Sequence, residues 1–192
     1  PVVAAAVVLP QGFGVTKPIP PELARLNDSK RLTERHRLTL IKPICAHALA
    51  VGVGISSPEL IDELNIAVAN QHAMRAAARR ALRALRRHLG CASPPLALID
   101  GKFCVPELPL PQLAMIQGDS RSYHIAAASV VAKVTRDKIM GALDRRHPEY
   151  GFARHKGYGT KAHQEALARL GPCLAHRRSY APVKRALEGR EG

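Results

Sequence analysis

Apolar residues along this chain fall into short blocks that alternate with stretches of helical period. Val2 to Leu9 is a β-branched apolar run closed by Pro10 and Gly12, the length of a buried strand rather than of a helix. Gly14 to Pro21 reads as loop, and a helix is expected from about Thr33, which can cap it, to about Ala50. Val51 to Ile55 follows as a short strand with glycine at alternate positions. No third glycine continues the series, so this is not a dinucleotide loop. Ser56, Ser57, Pro58 and Glu59 form a helix start. The long helical stretch behind it puts Met74, Ala77, Ala81, Leu85 and Leu89 on one stripe. Arg75, Arg79, Arg83, Arg86 and Arg87 flank the stripe as a solvated face, and Gly90 closes the helix.

Two further apolar runs end abruptly in a carboxylate. Leu96 to Ile99 leads into Asp100-Gly101, and after a proline-rich loop Leu113 to Gln117 leads into Gly118-Asp119. Buried parallel strands deliver side chains to a sheet edge in this way. A last long helix is expected from about Ile125 to Arg146, bounded by Pro148. Strands alternating with helices, without internal repeats, indicate an α/β fold in a single domain.

Composition narrows the partners. The chain has 192 residues, 46% of them hydrophobic, which is enough for a packed core. Lys and Arg number 29 against 15 Asp and Glu, a net charge of +14 that favours nucleic acid over membrane as the partner. The longest apolar run is far short of the roughly 20 residues a spanning helix needs. No basic stretch precedes it, so it does not read as a signal peptide. Cys45, Cys91, Cys104 and Cys173 are widely spaced with no CxxC pair. They read as reduced, mostly buried thiols of a cytoplasmic protein, and a zinc site is not expected.

Among the acidic residues Asp100 and Asp119 stand apart, because each ends a hydrophobic strand beside a glycine. If the two strands are neighbours, both carboxylates lie at one sheet edge, where like charges held together suggest a hard divalent cation such as Mg²⁺ or Mn²⁺. Each could equally cap a turn or the following helix. Asp137, four residues after Lys133, reads as half of an i,i+4 ion pair.

Taken together, several blocks resemble the ribonuclease HII (type 2 ribonuclease H) family. They include Leu26-Asn27-Asp28-Ser29-Lys30, Ile61-Asp62 with Asn65, Ile99-Asp100-Gly101 and Gly118-Asp119. Ile125 to Ser129 runs on through Lys133-Val134-Thr135-Arg136-Asp137. His155-Lys156-Gly157-Tyr158-Gly159-Thr160 with His163, and Gly171-Pro172-Cys173 with His176, Arg177 and Ser179, complete the set. Gln117 and Tyr180 stand where the family usually has Lys and Phe. The resemblance covers nearly the whole chain. It implies a ribonuclease H-like mixed sheet flanked by helices, with a C-terminal helical region.

The implied activity is endonucleolytic hydrolysis of the RNA strand of RNA–DNA hybrids by two-metal-ion catalysis with Mg²⁺ or Mn²⁺, including cuts 5′ of single ribonucleotides embedded in duplex DNA. Asp100 and Asp119 carry over as catalytic, metal-holding carboxylates. Tyr158, between two glycines, carries over as the reader of the ribose 2′-OH. Lys30, Lys133, Arg136 and Lys156 are plausible phosphate contacts, and His155 and Lys161 add charge around Tyr158. A monomer is implied. The family opens with Asp-Glu-Ala-Gly-Arg-Gly on a central first strand that supplies two more catalytic carboxylates, and that opening does not precede Pro1. The expectation is therefore of an N-terminally truncated chain, lacking its first, central strand and inactive alone. The competing reading is a non-catalytic basic nucleic-acid-binding module, which would need neither Asp100 nor Asp119.

Overall fold

A computed structural model of the chain describes residues 1–26, 29, 32–89 and 94–188; Lys30, Gly90 and Cys91 lie outside the described residues. Strand β1, Val2–Val8, is hydrogen bonded to β2, Ala50–Ser56, and helix α1, Glu34–His47, lies between them in sequence. Thr33 caps α1 through its side chain, which accepts from the His36 N–H at 3.2 Å. The helix stops at His47, before Ala50. Ala48 turns to extended backbone, and the next amide, Leu49 N–H, donates to the Val8 carbonyl at 2.8 Å and opens β2. The end of β1 thus meets the start of β2.

The long helical stretch is two helices. Helix α2, Pro58–Leu64, is capped by Ser57, and Asn65 then adopts a left-handed φ of 68° that breaks the run. The Asn65 side-chain oxygen accepts from the N–H groups of Ala67 and Val68 at 3.0 and 3.2 Å. It thereby satisfies the free donors at the start of α3, Ile66–Leu89. The buried stripe of α3 is built of alanine: Ala69, Ala73, Ala77 and Ala81, followed by Leu85.

These small residues let the α3 backbone lie directly against β2. A Cβ added at Gly54 would collide with the Ala73 carbonyl, and one at Gly52 with the Ala77 carbonyl. The alternate glycines of β2 therefore mark where a helix backbone meets a strand. The arginine run is only partly a solvated face. Arg75 donates to the Pro106 carbonyl at 3.3 Å and pairs with Glu107, and Arg80 donates to the Val53 carbonyl.

Beyond α3 come strands β3, Ala97–Asp100, and β4, Gln112–Met115, which pair in parallel as a second two-stranded sheet. Helix α4, Tyr123–Arg146, is followed by α5, Phe152–His155, α6, Lys161–Leu170, and α7, Ala181–Glu188. The described residues form two compact units. One comprises Val3–Ile55 and Asn70–Val134 and is centred on Leu9, Leu23, Ile44, Ala127 and Val130. The other comprises Pro1–Val2, Ser56–Ala69 and Thr135–Gly192, with a core of Met140, Tyr150, Phe152, Leu167 and Val183. No helix among the described residues is long and apolar enough to cross a membrane.

The cysteines depart from expectation. Among the described residues Cys45 and Cys104 are exposed and only Cys173 is partly buried. Cys45 follows the buried Ile44 on the outer side of α1, and Cys104 sits in the loop after β3, so neither position is reached by a core.

The close helix–strand contact predicts opposite outcomes for two Gly→Ala changes. Gly54→Ala should destabilise by about 1–3 kcal/mol through overpacking against main chain. Gly141→Ala, in α4 with open space around its Cβ, should stabilise by about 0.5–1 kcal/mol. Urea midpoints of the two variants check both.

Candidate functional site

Register brings the strand end that carries Asp100 and the strand end that precedes Gly118-Asp119 to one place. β3 and β4 pair from Ala97 with Gln112 to Asp100 with Met115, and Gly101 N–H adds a bond to the Met115 carbonyl at 2.9 Å. The loop joining them is closed by Gln112. Its side chain accepts from Val105 N–H at 2.8 Å and donates to the Val105 carbonyl at 3.0 Å, while Val105 and Leu108 pack on Ile99. Both strands therefore end at the same edge.

After β4 the chain reverses sharply. Gln117 takes a left-handed conformation, φ 53° and ψ 41°, and leads into the short 3₁₀ turn Gly118–Ser120. That reversal lets Gly118 N–H donate to Asp100 Oδ1 at 2.9 Å. Gly118 has no room for a side chain, since a Cβ would lie 3.3 Å from Asp100 Oδ1 and 2.5 Å from Ile125 Cδ1. Asp100 is exposed, whereas its neighbour across this turn, Asp119, is 9% exposed.

The two side chains offer hard oxygen donors, one facing solvent. Among the described residues no group of three His, Cys, Asp or Glu converges on a metal position. A pair of carboxylates nevertheless suits a small hard cation, which commonly keeps waters and takes one or two carboxylates together with substrate phosphates. The donor set fits Mg²⁺ or Mn²⁺ and does not resemble a zinc cage.

Lys30 lies outside the described residues, but Ser29 and Leu32 are held. The buried Arg37 donates through Nη1 to the Ser29 carbonyl at 2.9 Å and also to the Leu32 carbonyl, and Ser29 Oγ lies 2.6 Å from Ser129 Oγ on α4. An arginine placed in a helix pattern gave no sign of this anchoring role. Lys133 is half-buried on α4, and Asp137 is buried.

In the other unit Tyr158 is 60% exposed, in the turn between α5 and α6. Arg136 stands over its ring, Cζ 5.5 Å from the centroid, and buried Arg136 Nη1 makes no hydrogen bond among the described residues. Lys156 is half-buried and left-handed at φ 51°, followed by Gly157 at φ 77°; this double reversal turns the tyrosine outward. His155 does not add surface charge. It is buried, with Nε2 2.7 Å from the Tyr150 carbonyl and Nδ1 accepting from Gly157 N–H. Sequence reading placed it by its position in a basic turn, whereas packing against Phe152 drew it inward.

His163 and His176 are buried too. Burial pushes the His163 imidazole below its usual pKa, helped by nearby His155. Burial first, then His163, pushes His176 down to about 4. Asp62, of the Ile61-Asp62 block, is a tether. Its carboxylate accepts from Arg178 N–H at 2.7 Å and from the Ser179 N–H at 2.9 Å and hydroxyl. Burial works to raise its pKa but is outweighed by the Ser179 and Arg178 hydrogen bonds, so the net shift is downward.

Comparison with known proteins gives one consistent result. The Ribonuclease HII family profile matches residues 1–183. Ribonuclease HII of Vibrio parahaemolyticus is 51% identical over 162 residues, covering 84% of this chain and 72% of that protein. The Geobacillus kaustophilus ribonuclease HII is 49% identical over 191 residues, all of this chain and 66% of that protein. Among solved structures, ribonuclease H2 from Pyrococcus horikoshii OT3 superposes with a TM-score of 0.64 at 22% identity, covering 88% of this chain and 83% of that one. Ribonuclease HII in its complex with PCNA from Archaeoglobus fulgidus gives 0.60 at 24% identity, covering 80% and 76%. These structural likenesses support the fold, an α/β architecture of ribonuclease HII type.

The lowered imidazoles make stability depend on pH. Because His176 binds a proton near 6.5 when unfolded but only near 4 when folded, its contribution is complete above pH 6.5 and is lost as pH falls toward 4. At pH 4.5 the wild type should have lost about 2–3 kcal/mol on this account. Urea denaturation at pH 7 and 4.5 should show a markedly flatter dependence for His176→Asn.

Proposed function

Because this chain belongs to the ribonuclease HII family, and so is a ribonuclease H enzyme acting as an endonuclease on the RNA of RNA–DNA hybrids, we propose that its chemistry centres on Asp100 and Asp119. In this reading the two carboxylates hold Mg²⁺ or Mn²⁺, Tyr158 reads the ribose, and the substrates include single ribonucleotides embedded in duplex DNA, cut on their 5′ side. The enzyme acts as a cytoplasmic monomer, in one catalytic domain. The observation that carries the reading is the parallel β3–β4 pairing, with Asp100 bonded to the turn that holds Asp119.

Asp100 and Asp119 would hold the divalent ions, whose chemistry there would be activation of the attacking water and stabilisation of the leaving 3′-oxygen. The protein residues hold the participants. Gly118 N–H engages one oxygen of Asp100 and so sets the orientation of that carboxylate. Arg136, with a buried nitrogen lacking a hydrogen-bond partner among the described residues, is suited to take a phosphate oxygen. Lys133 and Lys156, and Lys30 by its place in the motif, would add charge along the backbone. The exposed Tyr158 ring, held beneath the Arg136 guanidinium, can stack on a sugar while its hydroxyl meets the 2′-OH.

Asp100→Asn should lower Mn²⁺-supported hybrid cleavage by about 10²–10³-fold, a loss typical of removing one charge-stabilising group, while hybrid affinity stays within about twofold because the basic contacts remain. Cleavage left unmoved by Asp100→Asn would remove this carboxylate from the chemistry. Arg136→Gln should reduce the salt dependence of hybrid binding by about one unit of log–log slope. Fluorescence anisotropy over a salt series measures it.

A further inference from the structure

We propose that His163 and His176 are positioning residues for Tyr158: a proton-ordered pair of neutral imidazoles pins the Tyr158 carbonyl and so fixes where the exposed phenol stands. The inference rests on the reading of Tyr158 as the ribose contact.

The hydrogen bonds leave a single arrangement of protons. Cys173 N–H donates to His176 Nδ1 at 3.1 Å, so that nitrogen is an acceptor and the His176 proton sits on Nε2. His176 Nε2 faces His163 Nε2 at 3.0 Å, so the latter accepts and the His163 proton sits on Nδ1. His163 Nδ1 lies 2.9 Å from the Tyr158 carbonyl and donates to it. A second proton on either ring would set N–H against N–H, or against the Cys173 amide. The depressed pKa values of both rings agree with this ordering.

Other bonds of the turn end on the same cluster. Tyr158 N–H donates to the His155 carbonyl at 2.9 Å, and Gly157 N–H donates to His155 Nδ1 at 3.1 Å. His155 and His163 stack with ring centroids 4.2 Å apart. Thr160 N–H supplies the remaining bond to the Tyr158 carbonyl, at 2.8 Å. Left-handed Lys156 and Gly157 before Tyr158, and Gly159 after it, leave the turn outside the helices on either side. An exposed ring on such a turn keeps one position only if its peptide group is anchored from below, and the imidazoles supply that anchor.

The test measures affinity for an RNA–DNA hybrid relative to a DNA duplex of the same sequence, at fixed salt without divalent metal. An asparagine amide can replace a histidine Nδ1–H donor, whereas a glutamine amide reaches the Nε2 position. His163→Gln should therefore lower the hybrid-to-duplex ratio by about two- to tenfold, the range of one hydrogen bond, and His163→Asn should retain it. In a Tyr158→Ala background His163→Gln should change the ratio no further. A purely structural histidine would weaken both affinities together and leave the ratio unmoved, which overturns the proposal.

The parallel Tyr158→Ala variant separates the two ideas. A ratio unchanged by Tyr158→Ala removes the ribose-reading role and the inference with it. A ratio lowered by Tyr158→Ala but not by His163→Gln overturns only the positioning role. Should His163→Gln fail to fold, ¹⁵N imidazole shifts of the wild-type protein decide the matter. A proton on Nδ1 of His163 and on Nε2 of His176 is expected, and a His163 protonated on Nε2 refutes the relay.

Discussion

The parallel pairing of β3 with β4 is the constraint on which the carboxylate site depends. Here the sheet hydrogen bonds hold the two strand ends at one edge, and Asp100 bonds to the turn that carries Asp119. Parallel strands end at the same edge, so residues that follow both strands emerge together. The left-handed Gln117 then turns the chain back, and Gly118, too crowded for a side chain, gives its amide to Asp100. One carboxylate remains exposed and the other is buried.

Close backbone approach supports the same unit. The α3 helix rests on β2 through glycine and alanine, with main chain against main chain, and Arg75 and Arg80 bond to the Pro106 and Val53 carbonyls. Small residues at such a contact leave little scope for repacking, since added volume meets backbone rather than a movable side chain. The parallel pair inherits this rigidity through Met74 and Ala78 of α3, which pack on Ile99, Val105 and Leu108.

The second unit uses buried polar groups differently. Its three imidazoles pack against Tyr150 and Phe152, and every ring nitrogen has a partner that fits a neutral tautomer. Buried polar networks cost stability when partly satisfied and confer specificity when complete. Here the satisfied network ends on the backbone of an exposed tyrosine. Asp62 acts in kind, tying α2 to the segment before α7 through three hydrogen bonds.

Much of this was legible in the residues themselves. The apolar runs before Asp100 and Gly118, the caps at Thr33 and Ser57, and the glycines around Tyr158 report local conformation, and local conformation depends on near neighbours in the chain. The motif blocks likewise pointed to the ribonuclease HII family. Other features turned on which side-chain contacts formed, near or far along the chain. Asn65 split a helix because its side chain could cap α3, and His155 turned inward because Phe152 offered an apolar wall. Asp62 became a tether because residues 178 and 179 came to it. Burial and hydrogen-bond partnership are properties of a packed neighbourhood, and a charged or polar side chain carries the same signature in sequence whether it faces water or is enclosed.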